Sequence, residues 1–259
     1  MSELTARAHR LDGKAAIITG ASRGIGLAIA HRLVAEGARV CITARHPEPL
    51  WEAAEQFPQG SVIAVAGKSD DPEHRLKVLD TVFRDLGRLD ILVNNAGINP
   101  VFGSLMELEL DAARKIIEVN LFATLAWVQN AYHHEGLGFA DGGAVVNLSS
   151  VSAQTPSPGI GFYGVSKAAI EHLTRTLAVE IGPNVRVNAV APAVVKTQFA
   201  RALYEGREQE VVAQYPLGRL GTPEDVAASV AFLVSADSDW ITGQVFNLDG
   251  GLLAAGGTA

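Results

Sequence analysis

Cysteine is almost absent from this chain, because Cys41 is the only one in 259 residues. A single cysteine excludes an intrachain disulfide, and this composition is typical of proteins in a reducing compartment. Cys41 lies in a short apolar run, so we interpret it as a small core residue. We therefore expect a cytoplasmic protein that depends on a packed apolar core rather than on cross-links.

Long apolar runs and a secretory signal core are also lacking. No run approaches the roughly 20 residues that a membrane span needs, and residues 1–10 are polar. The formal net charge of −7 argues against a nucleic-acid or anionic-membrane partner. The sequence predicts a flexible segment over residues 1–10 and a small-molecule substrate rather than a polymer or membrane.

The sequence also lacks His and Cys residues at the spacing of a metal site. His133 and His134 precede a glycine-rich turn without a cysteine or acidic partner at the spacing of a metal site. A solvated helix end explains them, and we predict no metal. Trp127 and Trp240 are interpreted as packing residues.

Short apolar runs alternate with helical patterns along the whole chain, and no linker or low-complexity tract interrupts them. This alternation predicts an α/β fold, a doubly wound, Rossmann-like parallel sheet forming one domain over residues 11–259. The expected strands are 15–19, 39–43, 61–66, 91–94, 144–148, 186–191 and 245–248. The gaps between strands carry helical patterns, for example over 24–36, 72–86, 111–132, 163–181 and 223–233.

Tyr163 and Lys167 are four residues apart, so on a helix they share one face. A phenol ordinarily loses its proton near pH ~10. A neighbouring ammonium favours the phenolate, so we expect Lys167 to lower the pKa of Tyr163 toward neutrality. Ser150 adds a hydroxyl that can hydrogen-bond a substrate oxygen. Together these side chains predict a site that moves a proton on or off a carbonyl or alcohol oxygen.

A glycine-rich turn follows the first expected strand and opens the first expected helix, with the sequence Gly20-Ala-Ser22-Arg23-Gly24-Ile25-Gly26. Its spacing is GxxxGxG, which departs from the generic GxGxxG fingerprint. Glycine lets the backbone approach a phosphate, and a helix start offers free N–H groups and a positive dipole end. We predict that a nucleotide phosphate binds here.

In order along the chain, these motifs resemble those of the short-chain dehydrogenase/reductase family, most nearly its 3-oxoacyl reductases. The resemblance covers residues 11–251 and rests on motifs at matching spacing: the glycine turn, Asn94-Asn95-Ala96-Gly97, Asn120, Ser150, Tyr163 with Lys167, Pro192 to Thr197, and Asp249-Gly250-Gly251. It implies an oxidoreductase that transfers hydride between NADP(H) and a carbonyl or secondary alcohol.

The resemblance also implies roles for individual residues. Asn120, Ser150, Tyr163 and Lys167 would form the catalytic tetrad, with the backbone of Asn120 holding a water that relays protons to Lys167. The glycine turn would bind the cofactor together with Arg45, Asn95, Ala96, Gly97, Tyr163, Lys167, Pro192, Val195 and Thr197.

The choice of cofactor depends on the end of the second expected strand. It reads Thr43-Ala44-Arg45-His46, without the carboxylate that would bind the ribose hydroxyls of NAD. Arg45 and Arg23 can instead bracket a 2′-phosphate. We therefore predict NADP, with NAD as the alternative.

The chain departs from the family pattern at two places. Ala193 stands where the family usually has glycine, so we expect a cost if that position needs a positive φ. After the third expected strand, Lys68 stands in a region where many relatives place an aspartate for the adenine. Asp70 and Asp71 are either displaced substitutes or caps of the next helix, and we favour caps.

Residues 199–215 form a helix-capable insert, which we interpret as a lid. No lysine or arginine occurs between Lys115 and Lys167, although relatives that act on acyl carrier protein make this region basic. A simple ketone or an acyl-CoA is therefore as plausible a substrate as a carrier-bound acyl chain. A non-catalytic NADP-binding regulator and an NAD-dependent alcohol dehydrogenase are the alternative functions.

Apolar residues on the expected helix 111–132 extend beyond one narrow face, from Ile116 to Val128. A helix packed only on a sheet should show a polar opposite face. We therefore predict a homo-oligomer, a tetramer by the family resemblance.

Overall fold

A seven-stranded, entirely parallel sheet forms the centre of the computed structural model, which describes residues 10–258. The strand order is β3-β2-β1-β4-β5-β6-β7, so the chain winds outward from β1 in both directions. This confirms the predicted doubly wound α/β fold. The strands are β1 (Ala15–Thr19), β2 (Arg39–Ala44), β3 (Val62–Ala66), β4 (Ile91–Asn94), β5 (Ala144–Leu148), β6 (Arg186–Pro192) and β7 (Val245–Leu248).

The expected boundaries of β1, β4, β5 and β7 are confirmed, and those of β2, β3 and β6 differ by one residue. Strand β2 continues to Ala44 because Ala44 pairs with Ala66 at the end of β3. Apolar runs locate these strands well because both faces of a parallel sheet are covered.

The helices are α1 (Gly24–Ala35), α2 (Pro47–Ala54), α3 (Pro72–Leu86), α4 (Leu110–Ile117), α5 (Ala123–His133), α6 (Gly161–Glu180), α7 (Arg201–Tyr204), α8 (Glu208–Val212) and α9 (Pro223–Val234). Helix α2 lies between two expected strands but is not among the example helices given above; it begins with a proline in its first turn. The predicted continuous helix 111–132 is wrong, because a π-helical segment, Glu118–Phe122, separates α4 from α5.

The core lies on both faces of the sheet, and neighbouring residues of β1 point to opposite faces. Ile18 packs in the cluster that contains Ile29 of α1 and Val230 of α9. Ile17 packs on the other face, in the cluster formed with α3, α5 and α6. Within residues 10–258, no helix combines the length and the apolar character that crossing a membrane requires.

The predicted flexible segment lies almost entirely outside the described residues, which begin at Arg10. The guanidinium of Arg10 makes ion pairs with Glu36 and Asp237. The single domain over 11–259 remains our proposal for the domain boundary.

Candidate active site

Tyr163 and Lys167 lie in the first two turns of α6, as the sequence predicts. The Lys167 Nζ is 5.5 Å from the centroid of the Tyr163 ring. It donates a hydrogen bond of 2.6 Å to the Leu148 carbonyl at the end of β5. Burial lowers the pKa of Lys167 to about 8. The Leu148 carbonyl therefore binds a lysine whose ammonium is still charged at pH 7 but loses its charge at a pH not far above it.

The pKa of Tyr163 moves in the direction opposite to the one expected from the sequence. Burial raises it above the usual phenol value, and a hydrogen bond with Ser150 opposes this shift only in part. The lowering that we expected from Lys167 is not found, because burial is the larger effect on the pKa of Tyr163. At neutral pH Tyr163 is therefore a protonated phenol, which suits a proton donor.

Ser150 caps the start of the short helical turn Val151–Ala153, and its hydroxyl oxygen accepts hydrogen bonds from Ser152. The Ser152 N–H donates to it over 3.2 Å, and the Ser152 hydroxyl lies 2.9 Å away. A Cβ at Gly164 would lie 2.5 Å from the Ser152 carbonyl oxygen. Glycine between Tyr163 and Lys167 thus lets α6 approach the turn that carries Ser150. Ser152 is not among the site residues predicted from the sequence, where its only signal is its position two residues after Ser150.

Asn120 is buried inside the π-helical segment, and its side chain binds protein groups. Its Oδ1 accepts from the Ile98 N–H at 2.8 Å, and its Nδ2 donates to the Ile98 carbonyl at 3.0 Å. The Nδ2 also donates to the Ser166 hydroxyl, which in turn donates to the Tyr163 carbonyl. Its own carbonyl accepts from Thr124. Asn120 thus connects the loop after β4 to the turn of α6 that carries Tyr163.

A cavity of about 840 Å³ lies at the carboxyl edge of the sheet. All the predicted site residues line it except Asn120. The glycine turn lies at one end, whereas Ser150, Tyr163 and Lys167 lie at the other. Pro192, Val195 and Thr197 form the wall that follows β6.

Glycine at two positions of the turn lets its backbone lie against Asn95 and Ala96, which follow β4. Gly20 has a φ of +66°, and a Cβ there would lie 2.9 Å from the Ala96 Cα. A Cβ at Gly26 would lie 2.5 Å from the Asn95 Nδ2. That amide donates to the carbonyls of Thr19 and Gly20, so Asn95 ties the turn to β4. Helix α1 has no acidic residue in its first turn, which leaves its start suited to a phosphate.

The two arginines at the cofactor end differ in their contacts. Arg23 donates to the Gln198 Oε1 over 2.6 Å, whereas the Arg45 Nε donates to the His46 ring over 3.0 Å. Among the described side chains, neither arginine lies in an ion pair with a carboxylate. Both line the cavity together with Lys68, so this end carries positive charge without a neutralising acid at the end of β2.

Asp70 and Asp71 have separate roles, so the expectation that both are caps is half wrong. Asp71 caps α3, because its carboxylate accepts from the Glu73 N–H at 3.0 Å. Asp70 instead lines the cavity and forms an ion pair with Lys115. Burial raises the pKa of the Asp70 carboxyl, but the hydrogen bond and the charge of Lys115 lower it, and the net result is a lowered pKa.

Ala193 carries no backbone strain. None of the described non-glycine residues has a positive φ, so the expected cost of replacing glycine here is absent. The side chain packs against a small cluster that contains Val151 and Tyr215.

The predicted lid, residues 199–215, contains two short helices, α7 and α8. The Phe199 ring is 6.1 Å from the Tyr163 ring, and Leu203 lines the cavity. Trp127 is a packing residue, as predicted, and donates to the Ser69 hydroxyl. The prediction for Trp240 is wrong, because its side chain is 100% exposed.

Within residues 10–258, no group of three or more His, Cys, Asp or Glu side chains is placed to hold a metal ion. The glycine turn and the open helix start fit a nucleotide phosphate, because α1 begins without a side-chain cap on its N–H groups and without an acidic residue in its first turn. A doubly wound sheet with such a turn at one end of a cavity, and a Tyr–Lys–Ser group at the other, defines a nucleotide-dependent oxidoreductase.

Comparison with known proteins agrees with this class. The family described as enoyl-(acyl carrier protein) reductase matches residues 20–253. A dehydrogenase/reductase SDR family member 4 from Caenorhabditis elegans is 39% identical over 95% of this chain and 97% of its own length. A tropinone reductase-like 3 from Erythroxylum coca is 38% identical over 94% of both chains.

The chain belongs to the short-chain dehydrogenase/reductase family and is an NAD(P)-dependent oxidoreductase. A solved structure with the same architecture is a gluconate 5-dehydrogenase from Burkholderia cenocepacia J2315, in complex with NADP and tartrate. Its TM-score is 0.88, with 29% sequence identity over 96% of this chain and 99% of that chain.

Proposed function

We propose that this protein is an NADPH-dependent reductase of uncharged carbonyl compounds. The observation that carries the proposal is the arrangement around one cavity, with a protonated Tyr163 beside Ser150 and Lys167 and a phosphate cradle at the opposite end. When bound, the nicotinamide supplies a hydride to the carbonyl carbon. Side chains of the protein bind the carbonyl oxygen and donate a proton to it.

Tyr163 donates its phenolic proton to the oxygen as the carbonyl C=O becomes a C–O single bond. Ser150 hydrogen-bonds the same oxygen and stabilises its developing negative charge. Lys167 compensates the charge left on the phenolate oxygen, and Asn120 holds the Ile98 loop and, through Ser166, the backbone of Tyr163. The reverse alcohol oxidation would need the phenolate, which burial disfavours.

NADPH is proposed over NADH because of the charge at the cofactor end. Arg45 and Lys68 follow β2 and β3, and no acidic residue ends β2. A carboxylate there would repel a 2′-phosphate, whereas a guanidinium binds it with fork geometry. The NADP in the gluconate 5-dehydrogenase complex is consistent with this choice for a related fold.

The substrate end of the cavity favours an apolar molecule. Its apolar lining comes from Ile98, Val101, Phe102, Val151 and Ile160, and from Phe199, Ala200, Ala202 and Leu203 of the lid. Asn99 and Gln198 add uncharged polar groups. Apart from Lys167, no charged side chain among the described residues lines this part. A buried carboxylate would need a cationic partner, so gluconate is a poor fit. We therefore propose a ketone with apolar substituents, ahead of acyl-CoA or carrier-bound substrates.

A turnover assay tests this function. Simple ketones, 3-oxoacyl thioesters, gluconate and secondary alcohols are supplied with each of NADPH, NADH and their oxidised forms. We expect the fastest turnover with NADPH and an apolar ketone. Binding of NADPH without turnover of any carbonyl would instead favour the non-catalytic regulator, and faster alcohol oxidation with NAD would favour the dehydrogenase.

A further inference from the structure

Ala193, Val194 and Val195, the three residues after β6, line the cavity wall beside Ser150, and backbone hydrogen bonds fix their position. The Ala193 N–H donates to the Leu248 carbonyl over 3.1 Å, and the Val194 carbonyl accepts from the Gly221 N–H over 3.1 Å. The N–H of Val194 has a different kind of partner. It donates over 3.2 Å to the phenolic oxygen of Tyr215, a side chain 21 residues away in sequence.

Tyr215 is the last residue of the lid, and it is only 5% exposed. Its ring packs in a small cluster with Val151, Leu220 and Leu252. A Cβ at Gly250 would lie 3.2 Å from the ring, so the space on that side is already filled. Val151 directly follows Ser150 in the chain. Tyr215 therefore contacts the turn that carries Ser150 through its ring and the cavity wall through its hydroxyl.

The position of this wall matters for the cofactor, and this part of the argument rests on the proposed function. If the cofactor phosphates bind at the glycine turn, the nicotinamide extends along the cavity toward Tyr163 and Ser150. Hydride transfer requires the nicotinamide to lie beside these two residues. Ala193, Val194 and Val195 line the cavity at that same end. A shift of their backbone would change the surface that the nicotinamide meets.

We propose that Tyr215 is a positioning residue that fixes the Val194 backbone beside Ser150 and so shapes the nicotinamide end of the cofactor site. Its hydroxyl supplies the acceptor that the Val194 N–H would otherwise lack. This contact is partly buried, and loss of the acceptor of a partly buried N–H costs free energy, so we expect the wall to rearrange if the hydroxyl is removed.

Tyr215→Phe tests the proposal because it keeps the ring and removes only the acceptor. We expect its affinity for NADPH to fall about threefold to tenfold. Its affinity for 2′-phospho-ADP-ribose, which lacks the nicotinamide, should match that of the unaltered protein. Both ligands are titrated calorimetrically against the protein without substrate. Tyr132→Phe, the same change on a helix outside the cavity, should leave both affinities unchanged.

Tyr215→Met provides a second variant that lacks the acceptor and fills the space with a flexible side chain. It should show the same difference between the two ligands if the Phe variant does not fold. Equal weakening of both ligands would show a general structural role, and unchanged NADPH affinity would show no role. Either result overturns the proposal.

The proposed cofactor is judged separately, on the unaltered protein. If that protein binds NADH but not NADPH, then the NADPH assignment fails, and Tyr215 is tested with NADH and ADP-ribose in the same way. If it binds no nicotinamide cofactor, both proposals fail.

Discussion

Protonation of Tyr163 determines whether the site can donate a proton to a substrate oxygen. Burial raises the pKa of the phenol, so the proton needed for carbonyl reduction is present at neutral pH. The Ser150 oxygen accepts from Ser152, which leaves its own proton free to face Tyr163 or a substrate oxygen. Lys167, with its pKa lowered to about 8, remains largely cationic at pH 7. These three side chains together favour proton donation to a carbonyl oxygen.

Tyr163→Phe should lower turnover by a factor of about 100 or more, because it removes the proton donor and keeps the ring. NADPH affinity should stay nearly unchanged, since the phenolic proton acts in the transition state. Steady-state kinetics and a direct NADPH titration check both parts. Tyr132→Phe is the matched control, and retention of more than a few per cent of activity in Tyr163→Phe would contradict its role as the acid.

Arg45→Asp should weaken NADPH binding about 10- to 100-fold and spare NADH, because a charge-assisted hydrogen bond to the 2′-phosphate is replaced by repulsion. Arg23→Ala should add to this loss if Arg23 also binds the phosphate. Arg23 additionally holds Gln198, so Gln198→Ala separates the two roles of this arginine. Titration of both cofactors against each variant is the measurement. Equal losses for NADPH and NADH would show that the arginines are structural.

At the scale of elements, the π-helical segment Glu118–Phe122 between α4 and α5 sets the position of Asn120 next to Ile98. The Ala123 N–H bonds to the Glu118 carbonyl, five residues earlier, rather than to the residue four earlier. Such π-helical turns are frequent at functional sites. Here the turn coincides with the residue whose side chain clamps both the N–H and the carbonyl of Ile98. The loop after β4 is therefore held by this segment rather than by a regular helix.

A second element-scale feature connects β2 to α3 through a buried histidine. The His74 Nε2 lies 2.6 Å from the Thr43 hydroxyl, and its Nδ1 is buried without a hydrogen-bond partner. A Cβ at Gly67 would overlap the ring. Burial lowers the pKa of His74; Asp71 opposes this shift, and Lys77 and Arg75 add to it.

His74 predicts a loss of stability in acid. The folded state disfavours protonation, so above pH ~6.5 both states hold the neutral ring and the group has no effect. As the pH falls below that value, the unfolded chain binds a proton that the folded chain resists, and the free energy of unfolding decreases. His74→Gln should show a shallower decrease between pH 7 and pH 5 in urea unfolding.

The exposed His172 offers a control for this experiment, because it lies on α6 away from the buried pair. His172→Gln should keep the pH dependence of the unaltered protein. If His74→Gln also keeps it, then another group causes the loss of stability in acid.

At the scale of the whole molecule, the remaining exposed apolar surface bears on assembly. Ile116, Trp127 and Val128 are buried within the chain, so they do not form an external face. Phe122 and Val179, by contrast, are 54% and 82% exposed. We keep the proposal of a homotetramer on this surface and on the family resemblance.

Sedimentation velocity at micromolar concentration tests the oligomeric state, with a mass near four times 27.3 kDa expected. Val179→Asp should shift the distribution toward smaller species, because it buries a charge if this face is an interface. The exposed Leu76 on α3 provides the control substitution, Leu76→Asp, which should leave the distribution unchanged. A stable monomer would refute the proposal.

Local patterns determined much of this protein. The strands and the glycine turn follow from neighbouring residues, because apolar runs and glycine spacing act over a few positions, and the pairing of Tyr163 with Lys167 follows from one helical turn. Only the tertiary structure decided the direction of the Tyr163 pKa, the π-helical segment around Asn120 and the contact of Tyr215 with Val194. Each of these depends on burial or on contacts between residues far apart in the chain, which no local pattern encodes.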